Sequence, residues 1–222
     1  MPLDRRKKYL QIAFNRSLTE VQRMVSALPA SDRIIVEAGT PFVKEYGSQG
    51  IAMLHQWWSE RLGHSGYVVA DMKCMDRGTT EVLAAARAGA SAVTCLGLAP
   101  LETIREFIER CRAAGVDSMV DMLNVEFPFE ILQHLGKQPD IVVLHRGVDE
   151  ASDNRERMLP HHLINRIKAT YPVLISLAGG ETVREVQRTV FNGADITVMW
   201  RLIYDSPEST TQLADQFLSM VS

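Results

Sequence analysis

Cysteine is scarce in this sequence: Cys74, Cys95 and Cys111 are the three among 222 residues, and no two stand in a Cys-x-x-Cys pair. That spacing excludes a disulfide framework and a zinc site of paired cysteines, and reduced thiols in a cytoplasmic protein are the expectation. Charge of one sign is lacking too, since 24 Lys and Arg stand against 27 Asp and Glu for a net charge of −3. The short basic run Arg5-Arg6-Lys7-Lys8 precedes the first apolar segment, where it is expected to cap the bottom of the fold rather than to bind nucleic acid. No apolar stretch reaches the roughly 18 residues of a membrane span, and no small-residue cleavage site follows an apolar segment near the N-terminus. Neither a membrane anchor nor a leader is therefore expected. Gly-x-Gly-x-x-Gly and P-loop segments are missing as well, which removes the commonest nucleotide-binding signatures.

What is present is an ordinary globular composition, 46% hydrophobic and 23% charged, with enough chain for one domain spanning residues 1–222 and a sizeable core. Short β-rich runs recur at Leu10–Asn15, Arg33–Gly39, Tyr67–Lys73, Ala92–Leu96, Ser118–Met122, Asp140–His145, Val173–Ala178 and Ile196–Met199. They are continuously apolar, as strands are when both faces of a parallel sheet are covered. Amphipathic stretches lie between them, at Thr19–Leu28, Thr79–Ala90, Leu101–Ala114 and Thr182–Asn192. Three of these end in a small-residue stop containing Gly89, Gly115 or Gly193, and a strand begins directly afterwards. Eight strand–helix alternations predict an α/β fold, the (β/α)8 TIM barrel, with a doubly wound open sheet as the alternative.

In such a barrel, chemistry sits at the C-terminal ends of the strands, and polar residues there need a reason. Strand two ends in Glu37, strand three in Asp71, Lys73 and Asp76, strand six in His145, and strand seven in Gly179-Gly180. Residues two apart on a strand share a face, so Asp71 and Lys73 are expected to point together into the barrel mouth. Two carboxylates suit a hard cation such as Mg2+, which would polarise a carbonyl and stabilise an enediolate. Lys73 offers positive charge beside it, and His145 suits a general acid or base. Bare backbone N–H groups at Gly179 and Gly180 suit a phosphate. Each residue alone also fits a structural ion pair or helix cap; the set is harder to explain that way.

Asp71-x-Lys73-x-x-Asp76 after an apolar strand resembles the signature of the orotidine-phosphate decarboxylase superfamily, and the likeness runs from Leu10 to about Ala194. Glu37 in Val-Glu-Ala-Gly-Thr-Pro stands where the orotidine decarboxylases carry Lys. It looks like the metal-dependent branch of hexulose-6-phosphate synthases and 3-keto-gulonate-6-phosphate decarboxylases. The resemblance implies that Glu37 and Asp71 bind Mg2+, that Lys73 contacts substrate or intermediate, and that Asp76 reaches across a homodimer interface at which the active sites lie. It implies His145 as the proton-moving residue and the Ala-Gly-Gly of Gly179 and Gly180 as a phosphate site. Gly115 to Met122 fits the fifth strand. Decarboxylases of this branch place Arg three residues after the histidine, whereas this sequence has Val148, which resembles the synthases.

Two departures stand out. The first strand ends Ala13-Phe14-Asn15 where the family reads Ala-Leu-Asp, so Asn15 takes a carboxylate's place beside the substrate. Strand eight reads Met199-Trp200-Arg201 where the family reads Val-Gly-Arg. Arg201 is retained for the phosphate, but Trp200 puts a large side chain where glycine allows close approach. The activity that the resemblance implies is that of an aldehyde-lyase condensing formaldehyde with ribulose 5-phosphate, a small phosphorylated sugar. The rivals are the sister decarboxylase and a non-catalytic, ligand- or partner-binding barrel. Trp57 and Trp58, the ten methionines, Cys74 and His161-His162 are read as packing or surface.

Overall fold

Each of the eight apolar runs forms a strand in the computed structural model, which describes residues 3–153, 159–179, 182–199 and 207–221. The strands are β1 (Tyr9–Phe14), β2 (Ile34–Ala38), β3 (Val68–Cys74), β4 (Ala92–Leu96), β5 (Asp117–Asp121), β6 (Ile141–His145), β7 (Leu174–Ala178) and β8 (Ile196–Met199). All pair in parallel in chain order, and β8 returns to β1 through Tyr9↔Ile196 and Gln11↔Val198. The sheet is thus a closed barrel without edges, which rules out the open doubly wound alternative.

The helices between them are α1 (Leu18–Ala27), α2 (Thr40–Leu62), α3 (Gly78–Arg87), α4 (Leu101–Ala114), α5 (Pro128–Leu132), α6 (Val148–Asp153), α7 (His161–Thr170), α8 (Val183–Phe191) and α9 (Pro207–Met220). The β6–β7 connection therefore carries two helices, among the described residues. Local chemistry sets the boundaries. Ser17 caps α1 by accepting from the Glu20 N–H, and Thr182 with Glu185 forms a capping box on α8. Gly115 stops α4 in the left-handed conformation, φ 72°, that favours glycine, so β5 starts at once. No helix among the described residues is long and apolar enough to cross a membrane.

The period of two along each strand divides the core in two. Outward-facing Ile34, Val36, Val93, Val142, Ile175 and others pack beneath the helices, with the fully buried Trp58, Phe42 and Phe107. Inward-facing Tyr9, Ile35, Val69, Ala92, Met119, Ile141, Leu174 and Ile196 fill the barrel itself. One step of two further along the same strands the inward residues become polar: Glu37, Asp71, Thr94, Asp121. The apolar tier is thus a floor, and the polar tier is the base of the mouth.

The basic N-terminal run does cap the bottom. Arg5 donates to the Pro172 carbonyl at 2.7 Å, and Lys8 reaches the Gly193 carbonyl and the Asp195 carboxylate. Asp195 is buried, also binds Lys168 at 2.7 Å and accepts from the Ile175 N–H at 2.9 Å, so it ties β1, α7 and β7 together. Asp195→Ala is therefore expected to cost about 3 kcal/mol in urea unfolding, because it orphans a buried donor and releases two lysines. Lys8→Ala, losing a partly exposed partner, is expected to cost under about 1 kcal/mol.

Candidate active site

The C-terminal ends of the strands open onto a cavity of about 340 Å3, lined in part by Asn15, Glu37, Asp71, Lys73, His145 and Gly179. Six of the residues expected at the site are thus brought together. Asp76 is not among them: it is exposed, beyond the end of β3, and its carboxylate accepts from the Arg77 N–H. Gly180, Trp200 and Arg201 lie outside the described residues.

At the base of the cavity is a residue that the spacing of the sequence did not single out. Asp121, the last residue of β5, is 2% exposed and holds a lysine and a histidine on one carboxylate. Lys73 Nζ lies 2.9 Å from its Oδ2, and His145 Nδ1 lies 2.9 Å from Oδ2 and 3.1 Å from Oδ1. The Leu123 N–H donates to Oδ1 as well, at 3.0 Å. Burial alone pushes the Asp121 carboxyl up, but the His145 and Lys73 charges and their hydrogen bonds outweigh it and bring it down to about 2. Burial likewise disfavours the charged His145, yet the Asp121 charge and hydrogen bond win and raise its pKa. With a proton on Nδ1 shared with Asp121, the imidazole keeps Nε2 for proton transfer.

Lys73 also reaches Asp71, 3.1 Å from Oδ2. As expected, the two side chains share the cavity face. They do so across an irregularity, however, because the β3–β4 register shifts between Ala70 and Cys74 and Lys73 takes a φ of 46°. Burial lowers the Lys73 pKa, but Asp71 and Asp121 more than reverse this, so the ammonium stays charged. Asp71 is further held by two hydroxyls, Thr94 Oγ1 on Oδ1 and Thr40 Oγ1 on Oδ2, each at 2.7 Å.

Glu37 sits on the neighbouring strand, 6% exposed, and accepts from Gln11 Nε2. Burial and then the Asp71 charge raise its pKa to about 7. Gln11 Oε1 is buried without a hydrogen-bond partner. Two buried carboxylates in mutual repulsion, beside an orphaned amide oxygen, form a hard oxygen donor set, and such a set fits a divalent cation. Among the described residues no group of three or more His, Cys, Asp or Glu side chains could hold a metal ion. A cation here would therefore keep most of its positions for water or ligand, as Mg2+ does.

On the opposite wall Arg146 follows His145. It is buried, donates through Nη2 to the Gly179 carbonyl at 2.8 Å, and approaches Glu185 of the α8 capping box at 3.7 Å. Gly179 has a φ of 99°, and a Cβ on it would run into the Arg146 carbonyl oxygen. Glycine is required there. Asn15 packs its side chain over Gly39 at the start of α2.

The chain as a whole has known relatives. The profile of the Orotidine 5'-phosphate decarboxylase / HUMPS family matches residues 8–215. The chain belongs to that family. A bifunctional enzyme Fae/Hps of Methanothrix thermoacetophila is 40% identical over 216 residues, covering 96% of this chain and 52% of the relative. Another, of Methanocella arvoryzae, is 38% identical over 204 residues, covering 90% of this chain and 50% of the relative. The chain thus spans about half the length of the curated relatives it matches. Among solved structures, 3-hexulose-6-phosphate synthase from Salmonella typhimurium superposes with a TM-score of 0.82 at 27% identity, over 96% of this chain and 100% of that one.

The shared Asp121 carboxylate yields a prediction with a definite sign. Its folded pKa is depressed, so its contribution is present above the unfolded value near 3.8 and is lost as pH falls toward about 2. Asp121→Asn is expected to destabilise the family member by about 3 kcal/mol at pH 7, measured in urea. The deficit should shrink as pH falls from 4 to 2, and a deficit independent of pH would refute the assignment.

Proposed function

We propose that the chain is a Mg2+-dependent aldehyde-lyase of the 3-hexulose-6-phosphate synthase type. It joins formaldehyde to D-ribulose 5-phosphate to give 3-hexulose 6-phosphate, and splits the product in reverse. One observation carries the reading: a proton-transfer residue and a permanent cation, His145 and Lys73, are fixed on one buried carboxylate beside the pair Glu37 and Asp71. The names carried by its relatives, Fae/Hps and 3-hexulose-6-phosphate synthase, agree with it.

The residues divide the work as follows. Glu37 and Asp71 would hold Mg2+, which supplies divalent positive charge next to the reacting carbons. His145 Nε2 takes the proton from C1 of the sugar, leaving the electron pair in an enediolate. Lys73 is held charged by two carboxylates, so it acts as a fixed cation that stabilises the new negative charge and not as a base. C1 of the enediolate attacks the formaldehyde carbon, the sugar's C2 carbonyl re-forms as the C–C bond is made, and the formaldehyde oxygen takes up the proton that His145 returns. Gly179, kept free of a side chain and held by Arg146, supplies backbone at the sugar's phosphate end; Gly180 and Arg201 are assigned there by resemblance alone.

Val148 favours the synthase over the sister decarboxylase. It lines the cavity at the position where the decarboxylases are expected to carry Arg, so a cation that a carboxylate substrate would need is replaced by an apolar side chain. A homodimer is part of the proposal. Exposed Met75, Leu98 and Phe127 stand on the consecutive loops after β3, β4 and β5, next to Asp76, and would bury against a second copy with Asp76 at the seam. A cytoplasmic location follows from the reduced-thiol reading.

The decisive assay mixes the protein with ribulose 5-phosphate, formaldehyde and Mg2+ and follows formaldehyde loss. Consumption abolished by EDTA is expected; none at all would shift the reading to a different substrate or a silent barrel. His145→Ala is expected to lower kcat by about 100-fold or more while divalent-cation binding is retained. The raised His145 pKa also sets a pH limb: kcat/KM should fall as pH drops through it, because the imidazolium cannot accept a proton. Sedimentation should give a dimer that Phe127→Asp dissociates.

A further inference from the structure

We infer that Thr94 is the positioning residue that sets the geometry of Asp71 and Lys73, through a single hydroxyl that spans an irregularity between β3 and β4. Three observations carry this. First, the two strands are paired at Ala70↔Val93 and again at Cys74↔Cys95, so Asp71, Met72 and Lys73 on β3 stand opposite Thr94 alone on β4. Ladder pairing cannot fix the orientation of a three-residue stretch that faces one residue. Second, Lys73 lies within that stretch with φ 46°, a left-handed conformation unfavourable for a residue with a Cβ. Something outside the local backbone preference has to hold it there. Third, Thr94 Oγ1 accepts from the Lys73 N–H at 2.9 Å and donates to Asp71 Oδ1 at 2.7 Å, and Thr94 is 4% exposed.

A hydroxyl has one proton to give and lone pairs to receive. Thr94 uses both functions on the two residues that matter. Its donation fixes one Asp71 oxygen, and its acceptance satisfies the backbone N–H of Lys73. Thr40 fixes the other Asp71 oxygen, so the carboxylate plane is set from both sides. With the backbone of Lys73 held, its Nζ is placed between Asp71 and Asp121. Thr94 therefore acts through its neighbours; no proton of the reaction needs to pass through it. Small displacements of catalytic groups cost large factors in rate, so the effect should appear in turnover more than in substrate binding.

The catalytic half of this inference rests on the proposed function, whereas its structural half does not, and the experiment separates them. Thr94→Val keeps the shape and removes the hydroxyl; Thr94→Ser keeps the hydroxyl. If the valine variant fails to fold, Thr94→Ala against Thr94→Ser makes the same comparison. Amide hydrogen exchange at Lys73 is read by NMR in the full chain, without substrate. Loss of the hydroxyl should speed exchange at that amide by about tenfold or more, and serine should restore protection. In the formaldehyde assay the hydroxyl-free variant should lose about tenfold or more in kcat with KM for the sugar phosphate within about threefold, and serine should recover most of it. Unchanged exchange at Lys73 would overturn the inference whatever the activity. Altered exchange with unchanged kcat would overturn the catalytic half. A parent protein that consumes no formaldehyde would overturn the proposed function, and the exchange result would still decide whether Thr94 holds Lys73.

Discussion

The Asp121 carboxylate, buried at the top of β5 and shared by Lys73 and His145, is the interaction on which the site depends. A lone carboxylate in that place would have to be protonated or hydrated. The Lys73 ammonium and the His145 Nδ1–H keep it an anion, and in doing so both side chains are fixed in place. The consequences pass from strand to strand. Lys73, held charged, can also serve Asp71 on its own strand. Asp71 lies between that lysine and two hydroxyls, and its charge is one of the causes, after burial, that push Glu37 on β2 upward. Charge states on four of the eight strands are coupled in this way, and removing Asp121 would disturb all of them.

Barrel closure makes the coupling possible. Asp121 finds its partners 24 and 48 residues away in sequence, and no local turn could bring them together. The parallel register sets inward positions of adjacent strands side by side, Ala13↔Glu37 on β1 and β2, Asp121↔Val143 on β5 and β6, and His145↔Ala178 on β6 and β7. The apolar floor of Ile35, Val69, Met119 and Ile141 excludes water from below. Charges above such a floor interact more strongly than they would at a protein surface.

Much of this was legible in the sequence. Parallel strands covered on both faces are apolar runs, so the eight strands stood out, and polar residues at their ends stood out against them. β4 and β8 have the predicted bounds, and Glu37, Asp71, Lys73, His145, Asn15 and Gly179 all line the cavity. Asp121 was overlooked because it lies inside a Met-Val-Asp-Met segment with no charged neighbour to flag it, although the rule that exposed Glu37 applied to it equally. Thr94 and Thr40 gave no signal, since threonine is common in strands and at helix starts. Their importance lies in what they bond. Asp76 was grouped with Asp71 and Lys73 by spacing, but past Cys74 the chain leaves the barrel for α3 and carries it to the surface. Its assignment rests on a second subunit that one chain cannot supply.

The rival reading of a silent barrel has to explain the two acidic residues. A network kept only for stability would pair each buried carboxylate with a cation or with enough donors, as Asp195 is paired at the barrel bottom. Glu37 is treated differently. It is buried beside another carboxylate, its chief support is one amide, and the other oxygen of that amide has no partner. Replacing such a group by a neutral one of the same size would be expected to stabilise the empty fold, because burying like charges together costs free energy. An arrangement that weakens the isolated protein while assembling oxygen donors at a strand-end cavity is what a cation-dependent site requires. The same tier also carries a charged lysine and an oriented histidine, which a passive metal or ligand store would not need. Taken together, the strained β3 segment, the shared carboxylate and the repelling pair weigh toward catalysis over mere binding.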